Sequence, residues 1–431
     1  MKKPEAAPKW FTDELYNQAI KLRTQLDLSD VIRKINDSYL YWDKVKYQQT
    51  ATNVAPELLW VLTKLSRILN AKKIQLGSYS FLFNVTDKIQ KALHEFDLNF
   101  GGTLSSQTFI LEQDKNRYLI SSIMEEAIAS SQIEGAVTTR KQAKELLRKN
   151  SKPKNKSEQM IFNNYLTIKR IVEIKDEPLS VERLLEIHRL ITSETLNDPA
   201  DEGRYRSNND VAVVDAANDE ILYTPPDFTQ VPEIINELIR FFNQNDDEVF
   251  IHPVIKGCVI HFLIGFIHPF VDGNGRTARV LFYWYLLKNG YWLTEYLSIS
   301  RLIIKSKTQY AQAYLYSEMD DNDLTYFIDY KIKTLQLAFA ELKKYIQRKV
   351  SEKRAIINFQ KLDGVNERQA LILKWLSEEP EQIFTVKEIQ TRFNISNQTA
   401  RTDLDGLVAL NYLENINFNK KTKGFGRRKN A

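Results

Sequence analysis

Two apolar runs, residues 254–267 and 280–287, stand on either side of a polar string, His268-Pro269-Phe270-Val271-Asp272-Gly273-Asn274-Gly275-Arg276-Thr277-Ala278-Arg279. Runs this apolar read as central, largely buried helices. The string therefore sets a histidine, a carboxylate and two arginines between buried helices, where charge is costly unless it is paired. Pro269 removes a backbone donor and biases His268 away from helical dihedrals, so the first helix stops there. Gly273 and Gly275 allow a tight turn and a close approach of backbone to a bound group. The second helix then begins near Gly275, with its free N–H groups and positive dipole end facing the loop. That is an anion site, and phosphate is the usual anion. Arg276 and Arg279 share one face of the first turn and add guanidinium donors. Asp272 offers a hard oxygen for Mg²⁺, and His268 is a candidate base at the edge of the site.

The string resembles the signature of the Fic family, His-x-Phe-x-[Asp/Glu]-Gly-Asn-Gly-Arg-x-x-Arg, at every fixed position. A chance match is on the order of one in 10^10 per start position; a bare helix–loop–helix corner with glycine punctuation does not account for it. The resemblance implies a nucleotidyltransferase that moves AMP from ATP to a Ser, Thr or Tyr hydroxyl of a target protein. It implies that the Gly273–Gly275 backbone and Asn274 hold the α- and β-phosphates. Asp272 would ligate Mg²⁺, and Arg276 and Arg279 would neutralise the β- and γ-phosphates. His268 would be the catalytic base, with Phe270 a buried anchor for the loop.

Upstream, residues 117–133 keep helical spacing and end in Ser130-Ser131-Gln132-Ile133-Glu134-Gly135. This resembles the family's inhibitory motif, [Ser/Thr]-x-x-x-Glu-[Gly/Asn]. By that resemblance Glu134 pairs with Arg276 and blocks the γ-phosphate seat, with Ser130 opening the motif. Residues 203–226 change character: two β-rich runs flank a polar turn and read as a hairpin. The resemblance makes this a flap over the active site, whose edge strand pairs with a target backbone; Val213 and Val214 become nucleotide contacts. Tyr310 falls where relatives often carry a tyrosine near the adenine, and a plain core aromatic is the equal alternative. His188 and His261 read as structural.

The expected fold class is mainly α: a Fic-type helical core with a β-hairpin flap, plus a C-terminal winged helix-turn-helix domain. Residues 1–116 read as an N-terminal helical region, 117–345 as the core, 346–365 as a helical linker and 366–431 as the winged helix. In that last domain Ser396 caps a third helix carrying Thr399, Arg401 and Thr402, the reader if DNA binds, while Asp403 and Asp405 dilute its charge; a protein–protein or dimerisation module is the alternative. The tail after Lys420 is basic. Residues 412–414 and 416–418 suggest wing strands. The net charge of +5 on 431 residues commits the whole chain to no nucleic-acid role. One cysteine, Cys258, excludes an internal disulfide and a cysteine zinc site. No signal-peptide core or membrane span is read, so a cytoplasmic location is expected. Expected partners are ATP, a target protein on the flap, DNA through residues 366–431 and a second copy of the chain, with no membrane. Two other readings share these residues: removal of AMP from a modified protein, and a DNA-binding regulator whose core senses nucleotide.

Overall fold

The computed structural model describes residues 3–50, 53–100, 112–214, 220–244, 249–417 and 423–428. The expected Gly101-Gly102 break and the strand at 109–111 lie outside the described residues. So do the flap tip at 215–219, the wing turn at 418–422 and the tail end at 429–431. The chain divides into two compact units, Met1–Ala340 and Glu341–Ala431.

The first unit opens with α1 (Asp13–Gln25), α2 (Ser29–Asp37), α3 (Trp42–Val45) and α4 (Pro56–Asn70), then a hairpin of β1 (Lys72–Leu76) and β2 (Tyr79–Phe83), then α5 (Asp87–Phe100). Pro56 starts α4 at a position where its missing N–H costs nothing. The hairpin corrects the all-helical expectation for this region. Its two-residue turn has Gly77 at φ 55°, and Leu76 faces Tyr79 across it. Ile74, Leu76, Phe81 and Phe83 alternate inward, the strand period in a short form.

The next segment runs through α6 (Glu112–Ile133), α7 (Arg140–Lys149), α8 (Lys156–Glu173) and α9 (Val181–Thr192). After it come β3 (Val213–Val214), β4 (Ile221–Tyr223) and α10 (Val231–Asn243). The central pair is α11 (Pro253–Ile267) and α12 (Asn274–Lys288), followed by α13 (Ser300–Lys305), α14 (Lys307–Met319) and the long α15 (Thr325–Gln360). Helices α11 and α12 are buried on every face, as runs apolar all round require. Gly290, at φ 82°, ends α12 and donates to Leu287 O.

No separate N-terminal domain is seen: residues on both sides of the expected boundary at 116/117 belong to one unit. A buried ionic network explains this. Lys64 Nζ lies 2.7 Å from Asp320 Oδ1, and Tyr326 OH donates to Asp320 Oδ2 at 2.8 Å. Arg67 donates to Tyr326 OH at 2.7 Å and to Leu40 O at 2.8 Å. Tyr39 donates to Asp323 at 2.6 Å, and Leu324 N to Leu82 O at 2.8 Å. Removing Asp320 takes from buried Lys64 and Arg67 the carboxylate they share, and Asp321 and Asp323 offset that loss only in part. Asp320→Ala is therefore expected to cost about 3–5 kcal/mol, read as a fall in denaturant midpoint at unchanged slope.

In the second unit α16 (Glu367–Glu378), α17 (Val386–Phe393) and α18 (Asn397–Ala409) precede β5 (Leu413–Asn417) and β6 (Lys423–Arg427). Asn366 and Gln369 form a capping box at α16; Thr385 and Ser396 cap the next two helices. Ile372, Leu376, Phe384, Leu404, Leu407 and Phe425 make one core. Phe384 and Phe425 exchange two backbone hydrogen bonds of 2.8 Å, tying the wing to the helices. The two expected wing strands are corrected: residues 413–417 form a single strand, and its partner is the glycine-bearing 423–427.

Candidate active site

The site is built where α11 stops. His268 caps that helix at φ 49°, ψ 58°, and its N–H still donates to Ile264 O at 3.0 Å. Its Nδ1 lies 3.2 Å from Gly265 O. A carbonyl only accepts, so Nδ1 carries the hydrogen and Nε2 keeps a lone pair. Burial pushes the imidazole pKa below its ordinary value, against smaller upward pulls from the Gly265 carbonyl, Glu134 and Asp272. The ring is thus the neutral form a base requires.

Gly273, at φ 86°, is the N-cap of α12. A Cβ there would meet Thr192 Cγ2 at 2.9 Å, so glycine is needed twice over. The first N–H groups of α12 have no partner within the helix, and they face the loop. Asn274 lines the cavity, and its side chain also holds the loop. Its side chain accepts from Phe270 N at 2.9 Å and donates to Phe270 O at 2.8 Å, so it clamps the loop. Phe270 is fully buried and stacks on His188 with centroids 3.7 Å apart.

His188 does more than pack. Gly203 N–H donates to its Nδ1 at 3.0 Å, and its Nε2 lies 2.9 Å from Asp272 O. These two partners fix the Nε2–H tautomer. Burial lowers its pKa to about 4, so it stays neutral. Arg206, also buried, donates to His268 O at 2.9 Å, to Asn208 O at 2.9 Å and to Pro226 O. It ties the base of the flap to the loop that begins at His268. Sequence reasoning passed over both residues as positioning groups. For His188 the signal was slight, a basic side chain among the apolar residues of 184–191; Arg206, in the polar stretch 201–210, offered none.

The two arginines part company. Arg279 Nη2 lies 2.8 Å from Glu134 Oε1, while its Nε donates to Ser130 Oγ at 2.8 Å. The partner of Glu134 is therefore Arg279, not Arg276 as expected. Arg276 is buried behind the loop, donating to Ile191 O at 3.1 Å and facing Asp272 Oδ1 at 3.5 Å. The three-residue step along α12 turns it toward α9 and leaves Arg279 toward the end of α6. The carboxylate of Glu134 also stands over the helix start: a Cβ on Gly275 would come within 2.2 Å of its Oε1.

A cavity of about 230 Å³ brings together Glu134, Val213, His268, Asn274, Gly275, Arg279 and Tyr310. Asp272, Gly273 and Arg276 do not line it; they shape the loop beside it. Val214 does not line it either, because successive strand residues face opposite ways and Val214 is half exposed. The flap pairs Val213 with Tyr223 and Val214 with Ile221, and Tyr223 OH donates to Phe266 O at 3.0 Å. Tyr310 both lines the cavity and bonds to His261 Nε2 at 2.8 Å, while Lys331 Nζ lies 3.2 Å from His261 Nδ1. His261 is the hydrogen-bonded core histidine that was expected.

The metal expectation was tested against the donor set. Among the described residues no three His, Cys, Asp or Glu side chains cluster to hold an ion. Asp272 offers a half-exposed carboxylate. One carboxylate suits Mg²⁺ whose other ligands are phosphate oxygens and water, so the residues fit.

Residues 178–286 match the Fic/DOC family model, and residues 368–420 match an HTH domain model. The segment matching the Fic/DOC model includes the flap, the loop and most of α12; Glu134 lies upstream of it. The protein adenylyltransferase Fic of Nematostella vectensis is 33% identical over 120 residues, 27% of this chain and 25% of that protein. Protein adenylyltransferase fic-1 of Caenorhabditis elegans is 29% identical over 115 residues, 27% of this chain and 20% of that protein. The similarity thus spans a quarter or less of these curated relatives. A solved structure of Fic-1 from C. elegans covers 79% of this chain and 87% of its own at a TM-score of 0.50 and 16% identity, a likeness of fold. Among the described residues, no helix is long and apolar enough to cross a membrane.

Proposed function

We propose that this chain is a protein adenylyltransferase, held off by Glu134. The observation that carries the reading is the lone pair of His268 Nε2 in a cavity shared with Gly275 and Arg279. In the proposed reaction ATP lies with its phosphates against the start of α12 and Arg279. His268 takes the proton of a target hydroxyl. The freed oxygen attacks the α-phosphorus, and pyrophosphate leaves. Asp272 would hold Mg²⁺, which when bound would screen the phosphate charge. Positioning and charge stabilisation supply most of the barrier reduction in such a transfer. The exposed edge at Val214 and Ile221 suits pairing with a target backbone. A cytoplasmic setting belongs to the same proposal; the single thiol, Cys258, is free and buried, as suits a reducing compartment. Mass spectrometry of Glu134→Gly incubated with Mg²⁺ and mixed nucleotides tests the reading. An added adenylyl group supports it, and an unchanged mass in every mixture defeats it.

A second proposal concerns the last domain. Asp403 does not dilute the charge of α18. It is buried and paired with Arg368, while Arg401 and Thr402 are exposed. We propose that this helix reads DNA, and expect salt-dependent, sequence-selective binding that Arg401→Ala weakens. No binding at low salt would reject it.

A further inference from the structure

The lining of the cavity beside His268 is of two chemical kinds. One is the polar set Asn274, Gly275, Arg279 and Glu134; the second is Leu222, Tyr223, Tyr314 and Leu315, with Glu318 among them. The first, once Glu134 is withdrawn, suits phosphates. The second is apolar and aromatic, the surface a flat heterocycle prefers. Glu318 is out of character there. It lies on α14, one turn past Tyr314, and among the described residues it makes no hydrogen bond. The side chain is partly buried among apolar and aromatic neighbours, where a carboxylate is poorly solvated.

We propose that Glu318 reads the base of the nucleotide, selecting adenine through paired hydrogen bonds to its N1 and N6 edge. The inference rests on the nucleotide reading above. Burial raises the Glu318 pKa to about 8, with Lys3 pulling weakly the other way. The other groups facing it are Tyr223 from the flap and Tyr314 on its own helix. His268, Arg279, Glu134 and Tyr310 share the same cavity. Near neutral pH the side chain is therefore a carboxylic acid, with one O–H to give and one carbonyl oxygen to accept. Adenine offers the complement, an acceptor at N1 beside a donor at N6. The ionised form accepts only. It keeps one bond to adenine but matches both donors, N1–H and N2–H, of guanine. The protonation state of one side chain thus sets which purine fits.

The test is calorimetric binding of ATP and GTP, with Mg²⁺, to the full chain carrying Glu134→Gly. ATP is expected to bind more tightly than GTP near pH 7, with the ratio falling as pH rises through the Glu318 pKa. Glu318→Gln keeps one donor and one acceptor without titrating. It should retain ATP preference and lose the pH dependence. Glu318→Ala should weaken ATP binding on the order of tenfold and flatten the ratio. Tight ATP binding with an ATP-to-GTP ratio indifferent to both substitutions and to pH would overturn the inference alone. Absence of any nucleotide binding would overturn the nucleotide reading beneath it. If the alanine variant does not fold, the pH profile of the glutamine variant against its parent still decides.

Discussion

His268→Ala, made in a Glu134→Gly background, is expected to slow AMP transfer about 10²–10⁴-fold, the usual contribution of a positioned base. Nucleotide affinity should change little, because the phosphate seat is backbone and arginine. The geometry behind this is specific. Nδ1 is committed to Gly265 O, the left-handed backbone at His268 turns the ring off the end of α11, and Arg206 holds the His268 carbonyl. The same assignment fixes the acid limb of the pH profile. A base must be neutral to work, and burial lowers the pKa of this ring. Activity should therefore hold as pH falls through the ordinary imidazole range, and drop only below it. Single-turnover transfer rates across acid pH measure both effects. A fall centred at or above the ordinary imidazole pKa, or equal rates with and without the imidazole, would remove His268 from its role.

Glu134→Gly is expected to tighten ATP binding and raise modification roughly a hundredfold. A carboxylate some 4 Å from a phosphate costs a few kcal/mol at the dielectric of a protein surface. Two contacts place it there: its 2.8 Å pair with Arg279 and its position over Gly275. Removing it frees the Arg279 guanidinium, whose Nη1 is already buried without a partner. Ser130 would still hold Arg279 Nε, so the arginine should keep its place. Isothermal titration with ATP and Mg²⁺, beside labelling from radioactive ATP, reads the two halves of the effect. If the unmutated chain instead releases AMP from a modified protein, and the variant loses that release, Glu134 orients water and the chemistry runs in reverse.

Much of the architecture was legible beforehand because helices announce themselves by period. The leucine spacing of α1 and α4, the Pro56 start and the caps at Thr385 and Ser396 are local features, and local features survive in a bare sequence. The β1–β2 hairpin was equally local. Its Gly77-Ser78 turn between alternating residues is a hairpin signal, and the helical neighbours on either side obscured it. The joining of the N-terminal region to the core was not legible. It depends on Lys64, Arg67, Asp320 and Asp323, more than 250 positions apart in part, meeting in one buried network.

At the site the same division holds. Residue types and spacing along 268–279 dictate a helix stop, a glycine turn and a helix start, because backbone sterics and the missing proline donor act over a few residues. They also name the groups: imidazole, carboxylate, guanidinium. Folding alone decides which atom of each is free. It turns Arg279 to the cavity and Arg276 behind it, spends the Asn274 amide on Phe270, brings Glu134 and Glu318 to one cavity from distant segments, and sets Arg206 on the His268 carbonyl. Directional bonds and burial are properties of neighbours in space, which no spacing along the chain can state.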